Sequence, residues 1–126
     1  MEIHWIFRIV PVPVFYTKAL TMGYSAFCWC FFIVVRPERK NKCNLIEHEL
    51  VHCRQFYRSL GTYPLMYLVS RRYRYKSEIE AYKEQIRLGG ATIEEAANWI
   101  IRNYGITGLS IENVKSDLQQ NSRQSV

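Results

Sequence analysis

The segment from Asn44 to Ser59, NLIEHELVHCRQFYRS, reads as a helix that one neighbour cannot satisfy, and Gly61 stops it. At about 3.6 residues per turn, Ile46, Leu50, Cys53 and Tyr57 fall on one stripe. His48, His52 and Gln55 fall on the opposite stripe. An apolar stripe seeks a hydrophobic core, whereas an imidazole stripe seeks polar partners or an ion, so this helix belongs between two different layers.

The rest of the chain supplies candidates for both. Ile3 to Val14 reads as extended and closed by Pro11 and Pro13, and the apolar run Ala19 to Val35 as a buried strand centred on 24–35. That run, broken by Thr21, Gly23 and Ser25, is a poor membrane span. After the charged turn RPERKNK and the first helix, Pro64 suits the first turn of a second helix, PLMYLVSRR. A third is expected from Ser77 as N-cap, with Glu80 at the capping-box position, to Gly89 and Gly90. Thr92 with Glu95 announces a fourth helix, and Ser110 a short last one. Strands followed by helices predict an α+β fold: a small N-terminal sheet packed against the histidine helix and a following helical layer. The 126 residues suit one domain, expected over 1–118, with a flexible polar tail over 119–126.

Charge and cysteines narrow the setting. The net charge of +6 is concentrated in RPERKNK and in RRYRYK, whose tyrosines alternate with basic residues as in a single-strand stacking groove. No nucleic-acid module accompanies these clusters, so nucleic acid is not the expected partner. Cys28, Cys30, Cys43 and Cys53 have neither zinc-ribbon nor disulfide-framework spacing. Cys28 and Cys30 are expected on one strand face, and all four as reduced thiols. With no signal-peptide pattern at the N-terminus, the expected location is cytoplasmic.

The histidine stripe carries the chemistry. Residues four apart on a helix stand one above the other, so His48 and His52 can converge on one ion. Zinc accepts neutral imidazole and carboxylate ligands while leaving a position for water. Glu49 lies at the edge of the stripe, where it can take a proton without binding metal, the role of Glu in the H-E-x-x-H pattern. Chance produces this pattern in about one chain in two hundred of this length and composition, so the motif needs a third ligand. Glu78 and Glu80 are the candidates. Glu80 shares a helical face with Glu84 and Arg87, beside Lys76 and Lys83, which describes a solvated surface. Glu78 shares its face with Ala81, Tyr82 and Gln85 and points inward, where a carboxylate needs a partner. Glu78 is the preferred ligand, with Ala81 leaving room for the histidine helix.

HELVHCRQ followed by SEIEAYKEQ resembles the short zincin-like metallopeptidases of the gluzincin type found in bacteria and phages. The resemblance spans roughly residues 24–85 and implies a zincin-like fold in which His48, His52 and Glu78 bind zinc and Glu49 is catalytic. It also implies a cleft-lining edge strand, 24–35 here, that holds a peptide or protein substrate in extended form. Relatives often carry Asp or Asn four residues after the ligand glutamate to orient a histidine; Tyr82 stands there, and Gln55 can serve instead. Tyr73, Tyr75 and Tyr82 are the candidate oxyanion donors. The expected function is zinc-dependent peptide hydrolysis. The alternative is a non-catalytic zincin-fold binding or structural protein whose zinc staples helices, and a basic binder of polyanions or membrane surfaces ranks below both.

Overall fold

Two hairpins that point the same way build the N-terminal layer. The structure, a computed structural model, describes residues 1–18, 25–40, 42–104 and 108–120. Strand β1 (Glu2–Ile6) pairs antiparallel with β2 (Val10–Tyr16). Strand β4 (Ile33–Val35) runs parallel to β2 and pairs antiparallel with β3 (Ala26–Cys28). The sheet order is β1-β2-β4-β3, which leaves β3 on an edge.

Each extended run is thus divided. Ile3–Val14 turns at Phe7 and Arg8, which adopt positive φ of 52° and 64° without glycine, asparagine or proline to signal it. Pro11 and Pro13 lie within β2 rather than closing it, and they are tolerated because β4 joins β2 only from Val14 onward. The 24–35 run is a hairpin: β3 is its edge half, β4 its inner half, and Tyr24 lies outside the described residues. Cys30 sits in the turn with φ of 69°, so it does not share a strand face with Cys28.

Five α-helices follow among the described residues. Helix α1 (Leu45–Arg58) lays Ile46, Leu50 and Cys53 on the sheet's inner face, against Ile6, Val12, Val14, Ala26, Ile33 and Val35. The apolar stripe read from the sequence is this contact, with Tyr57 at its border. Helix α2 (Tyr63–Val69) is one short stretch ending at Ser70. Helix α3 (Arg71–Arg87) begins six residues before the expected Ser77, because Ser70 accepts the Tyr73 N–H at 3.1 Å and caps it. Ser77 and Glu80 are therefore mid-helix residues, not caps.

Helix α4 (Ile93–Tyr104) has the expected cap, Thr92 Oγ1 accepting the Glu95 N–H at 3.1 Å. Helix α5 (Ile111–Gln119) is capped by Ser110, and it reaches one residue past the expected boundary at 118; residues 121–126 lie outside the described residues. A second core of Ile79, Ala96, Ala97, Ile100, Val114 and Leu118 joins α3 to α4 and α5. The fold is α+β, and α1 lies between a sheet on one side and α3 on the other. No helix among the described residues is long and apolar enough to cross a membrane.

Candidate metal centre

The interface of α1 with α3 is polar at its middle and almost closed to solvent. His48, His52 and Glu78 are 7%, 5% and 4% exposed. Glu78 Oε2 stands 3.3 Å from His48 Nε2, and Glu78 Oε1 stands 3.3 Å from His52 Nε2. All three ligand atoms lie within 4.8 Å of one another. Ligand atoms each ~2.0 Å from one tetrahedral ion stand ~3.3 Å apart, so this buried group could hold a metal ion. Ala81, three residues after Glu78, is fully buried.

Both imidazoles are oriented from behind. Gln85 Nε2 donates to the Cys43 carbonyl at 2.7 Å, which leaves its Oε1 facing His48 Nδ1 at 2.9 Å. That Nδ1 must then be the donor, and the Nε2 lone pair is aimed at the ligand position. The Cys43 carbonyl is itself fixed by a close backbone approach: a Cβ on Gly90 would lie 2.2 Å from it. His52 Nδ1 lies 2.9 Å from Gln55 Oε1 and 3.1 Å from both Ser77 Oγ and Tyr63 Oη. Gln55 Nε2 donates in turn to the Ser77 carbonyl and to Glu80, each at 3.1 Å. Gln55 thus stands behind His52, between it and α3. Glu80 is half-exposed and paired with Arg58 of α1, rather than with the lysines of its own helix.

The electrostatics follow from burial and from these pairings. Burial alone drives His52 down, but the Glu78 carboxylate beside it prevails and holds it up to about 10. Burial pushes Glu78 upward, and the histidines overturn this and keep it well below the carboxylate range. A cation entering between them takes over the role of that shared proton. Burial raises Glu49, opposed by His48 and His52 and by a hydrogen bond from the Cys28 backbone N–H. Glu49 as a residue is half-buried and lines the cleft.

That cleft, about 670 Å³, runs over the centre between β3 and α2, with Phe27, Cys28, Trp29, Tyr67, Leu68 and Trp99 among its walls. Among the phenols expected near the site, Tyr82 lines the cleft and packs its ring 4.5 Å from His48. Tyr73 and Tyr75 do not line it: Tyr75 is buried in the second core and donates to Asp117 at 2.5 Å, and the Tyr73 ring packs at a tilt against Tyr63. Tyr67 lines it instead, and its hydroxyl donates to Glu78 Oε1 at 2.8 Å.

Sequence reasoning missed Tyr63, Tyr67, Ser77 and the orienting role of Gln85. Gln85 was detectable, since it is seven residues after Glu78 and on the same helical face. Tyr63 and Tyr67 carry no such signal, because their place depends on how α2 docks. The Cys28 and Cys53 sulfurs meet at 3.1 Å between β3 and α1, below the centre. The chain matches no protein-family model, no curated protein and no solved structure.

Proposed function

We propose that this chain is a zinc-dependent metallopeptidase with a zincin-like fold. The observation that carries the reading is the convergence of both His Nε2 atoms on the two oxygens of Glu78, with Glu49 in the wall of the same cleft. Two nitrogens and a carboxylate suit zinc. Only these three residues form such a group among the described residues. A purely structural zinc usually takes four protein ligands, and Cys28, a thiol in the cleft wall, is turned to Cys53. These points favour catalysis over the structural alternative.

Bound zinc would supply Lewis-acid polarisation of the scissile carbonyl and a more acidic water. The chain's own groups do the rest. Glu49, made more basic by burial and steadied by the Cys28 N–H, takes the proton released as water oxygen bonds the carbonyl carbon. It returns that proton to the amine nitrogen as the C–N bond breaks. Of the four tyrosines that line the cleft, Tyr82, packed on His48, and Tyr67, if it turns from Glu78, would donate to the carbonyl oxygen as it gains charge.

The edge strand gives the substrate its direction. Arg36 N–H bonds the Ser25 carbonyl at 2.9 Å and Trp29 N–H bonds the Phe32 carbonyl at 2.8 Å, so residues 25, 27 and 29 face β4. By alternation the backbone groups of Ala26 and Cys28 face the open edge. The Cys28 N–H serves Glu49, leaving the Ala26 N–H and both carbonyls for an extended peptide.

Glu49→Gln tests the mechanism. The variant is expected to keep stoichiometric zinc by elemental analysis and to lose ~10²–10⁴-fold in hydrolysis across a broad peptide library. Undiminished cleavage sinks the role of Glu49. Stoichiometric zinc in the wild type with no peptide cleaved transfers the site to the structural alternative.

A further inference from the structure

Beyond the metal centre, the cleft adjoins a second cavity of about 350 Å³ lined by Arg71, Arg74, Ile101, Arg102, Asn103 and Tyr104. Arg74, Asn103 and Tyr104 belong to both walls. Three arginines, two from the start of α3 and one from the end of α4, therefore line one hollow that has no acidic residue in its wall.

Four cations among the described residues pair with a carboxylate, and most of the others, these three included, do not. Arg58, Arg87 and Lys40 each have a carboxylate partner, Glu80, Glu84 and Glu2. Among the described residues Arg71, Arg74 and Arg102 form no ion pair. Like charges gathered without a counter-charge repel, and an anion relieves them. Arg74 is also pre-positioned: its guanidinium lies 5.7 Å from the centre of the Tyr67 ring. A guanidinium held over an aromatic face keeps its N–H fork free for a planar oxyanion.

We propose that Arg71, Arg74 and Arg102 bind a carboxylate of the substrate peptide, placing it at the α3–α4 end of the cleft. This rests on reading the cleft as a peptide site. A carboxylate fits because the fork matches it in a bidentate way, and because the apolar walls at Leu68 and Trp99 lead a peptide chain to it. The source is either the peptide's C-terminus or an acidic side chain. Nucleic acid fits less well, since of the two tyrosines that alternate with these arginines Tyr75 is buried and Tyr73 is half-buried and packed against Tyr63.

The test is equilibrium binding to full-length, zinc-loaded Glu49→Gln protein, followed by tryptophan fluorescence, because Trp29 and Trp99 line the cleft. The probes are acetyl-Leu-Phe-Leu as free acid, the same peptide as C-terminal amide, and acetyl-Leu-Phe-Glu amide. The free acid, the Glu peptide or both should bind about tenfold more tightly than the uncharged amide, a preference that weakens with added salt. Which acid gains identifies the source of the carboxylate. Arg71→Gln combined with Arg102→Gln, both at exposed positions, should erase the preference while leaving affinity for the uncharged amide and zinc content unchanged. Arg74→Lys should keep only part of it, since an ammonium lacks the fork.

Equal binding of all three peptides, or a preference that survives loss of the arginines, overturns the carboxylate site and leaves the peptide cleft standing. Failure of every peptide to bind overturns the cleft reading and this proposal together. Tight, arginine-dependent binding of an oligonucleotide with no acid preference among the peptides assigns the cluster to a polyanion and overturns it.

Discussion

The two faces of α1 belong to one helix and ask opposite things of their partners. Toward the sheet, Ile46, Leu50 and Cys53 need only apolar surface of suitable volume, and the stabilisation scales with area buried. Toward α3, His48, His52 and Gln55 need particular atoms at 2.9–3.3 Å, and each must find them because all three are buried. The apolar face is therefore tolerant in detail and costly to empty. The polar face is intolerant in detail and has chemistry only as a set.

The largest expected effect breaks the set. If a binding free energy of ~10–16 kcal/mol divides among three ligands, Glu78→Ala lowers zinc affinity by roughly three orders of magnitude. Glu80→Ala, which removes only the Arg58 and Gln55 contacts at the surface, stays within about tenfold of the wild type. Chelator competition measures both. Zinc that survives Glu78→Ala but not Glu80→Ala would reverse the assignment.

Emptying the other face comes next. Leu50→Ala removes a side chain that is 6% exposed and should cost ~2–5 kcal/mol in urea unfolding. Zinc affinity of the folded variant should stay close to that of the wild type, because Leu50 points away from the histidines. A loss comparable to that of Glu78→Ala would mean the two faces are coupled through the helix rather than separate.

A finer division lies within the polar face. His48 Nδ1 has Gln85 as its hydrogen-bond partner, whereas His52 Nδ1 has Gln55, Ser77 and Tyr63 around it. Losing an orienting partner typically costs 10–100-fold in metal affinity. Gln85→Leu should therefore fall near the upper end of that range and Gln55→Leu near the lower, in the same competition assay. The opposite order would show that the three groups around His52 act as one unit.

The same contrast explains what the sequence could reveal. The sheet-facing stripe and the inward turn of Glu78 follow from helical period alone, and both were legible. The caps at Thr92 and Ser110 were legible too, since a cap is a contact within four residues. The β1–β2 turn was not, because Phe7 and Arg8 take positive φ against their own preference in a turn closed by the Ile9 N–H on the Ile6 carbonyl. The start of α3 was missed because Ser70 is hidden in a basic run, and Ser77 looked the better cap. Tyr67 and the arginine hollow depend on how α2, α3 and α4 pack, which no local spacing records.

The smallest effect sets an exposed polar cluster against the buried one. At the sheet's outer corner Glu2 accepts a hydrogen bond from Tyr16 at 2.7 Å and pairs with Lys40 at 3.0 Å. The Tyr16 hydroxyl first, and Lys40 second, hold the Glu2 carboxyl down at about 2 against an ordinary value of 4.5. A depressed carboxylate stabilises the fold above its unfolded pKa, and that stability is lost as pH falls through the folded one. Wild type should therefore exceed Glu2→Gln in urea midpoint above pH 4.5, with the gap closing toward pH 2. Added salt should shrink the gap at neutral pH, since water screens an open pair. A gap that keeps its size down to pH 2 would assign the effect to packing of the Glu2 side chain rather than its charge.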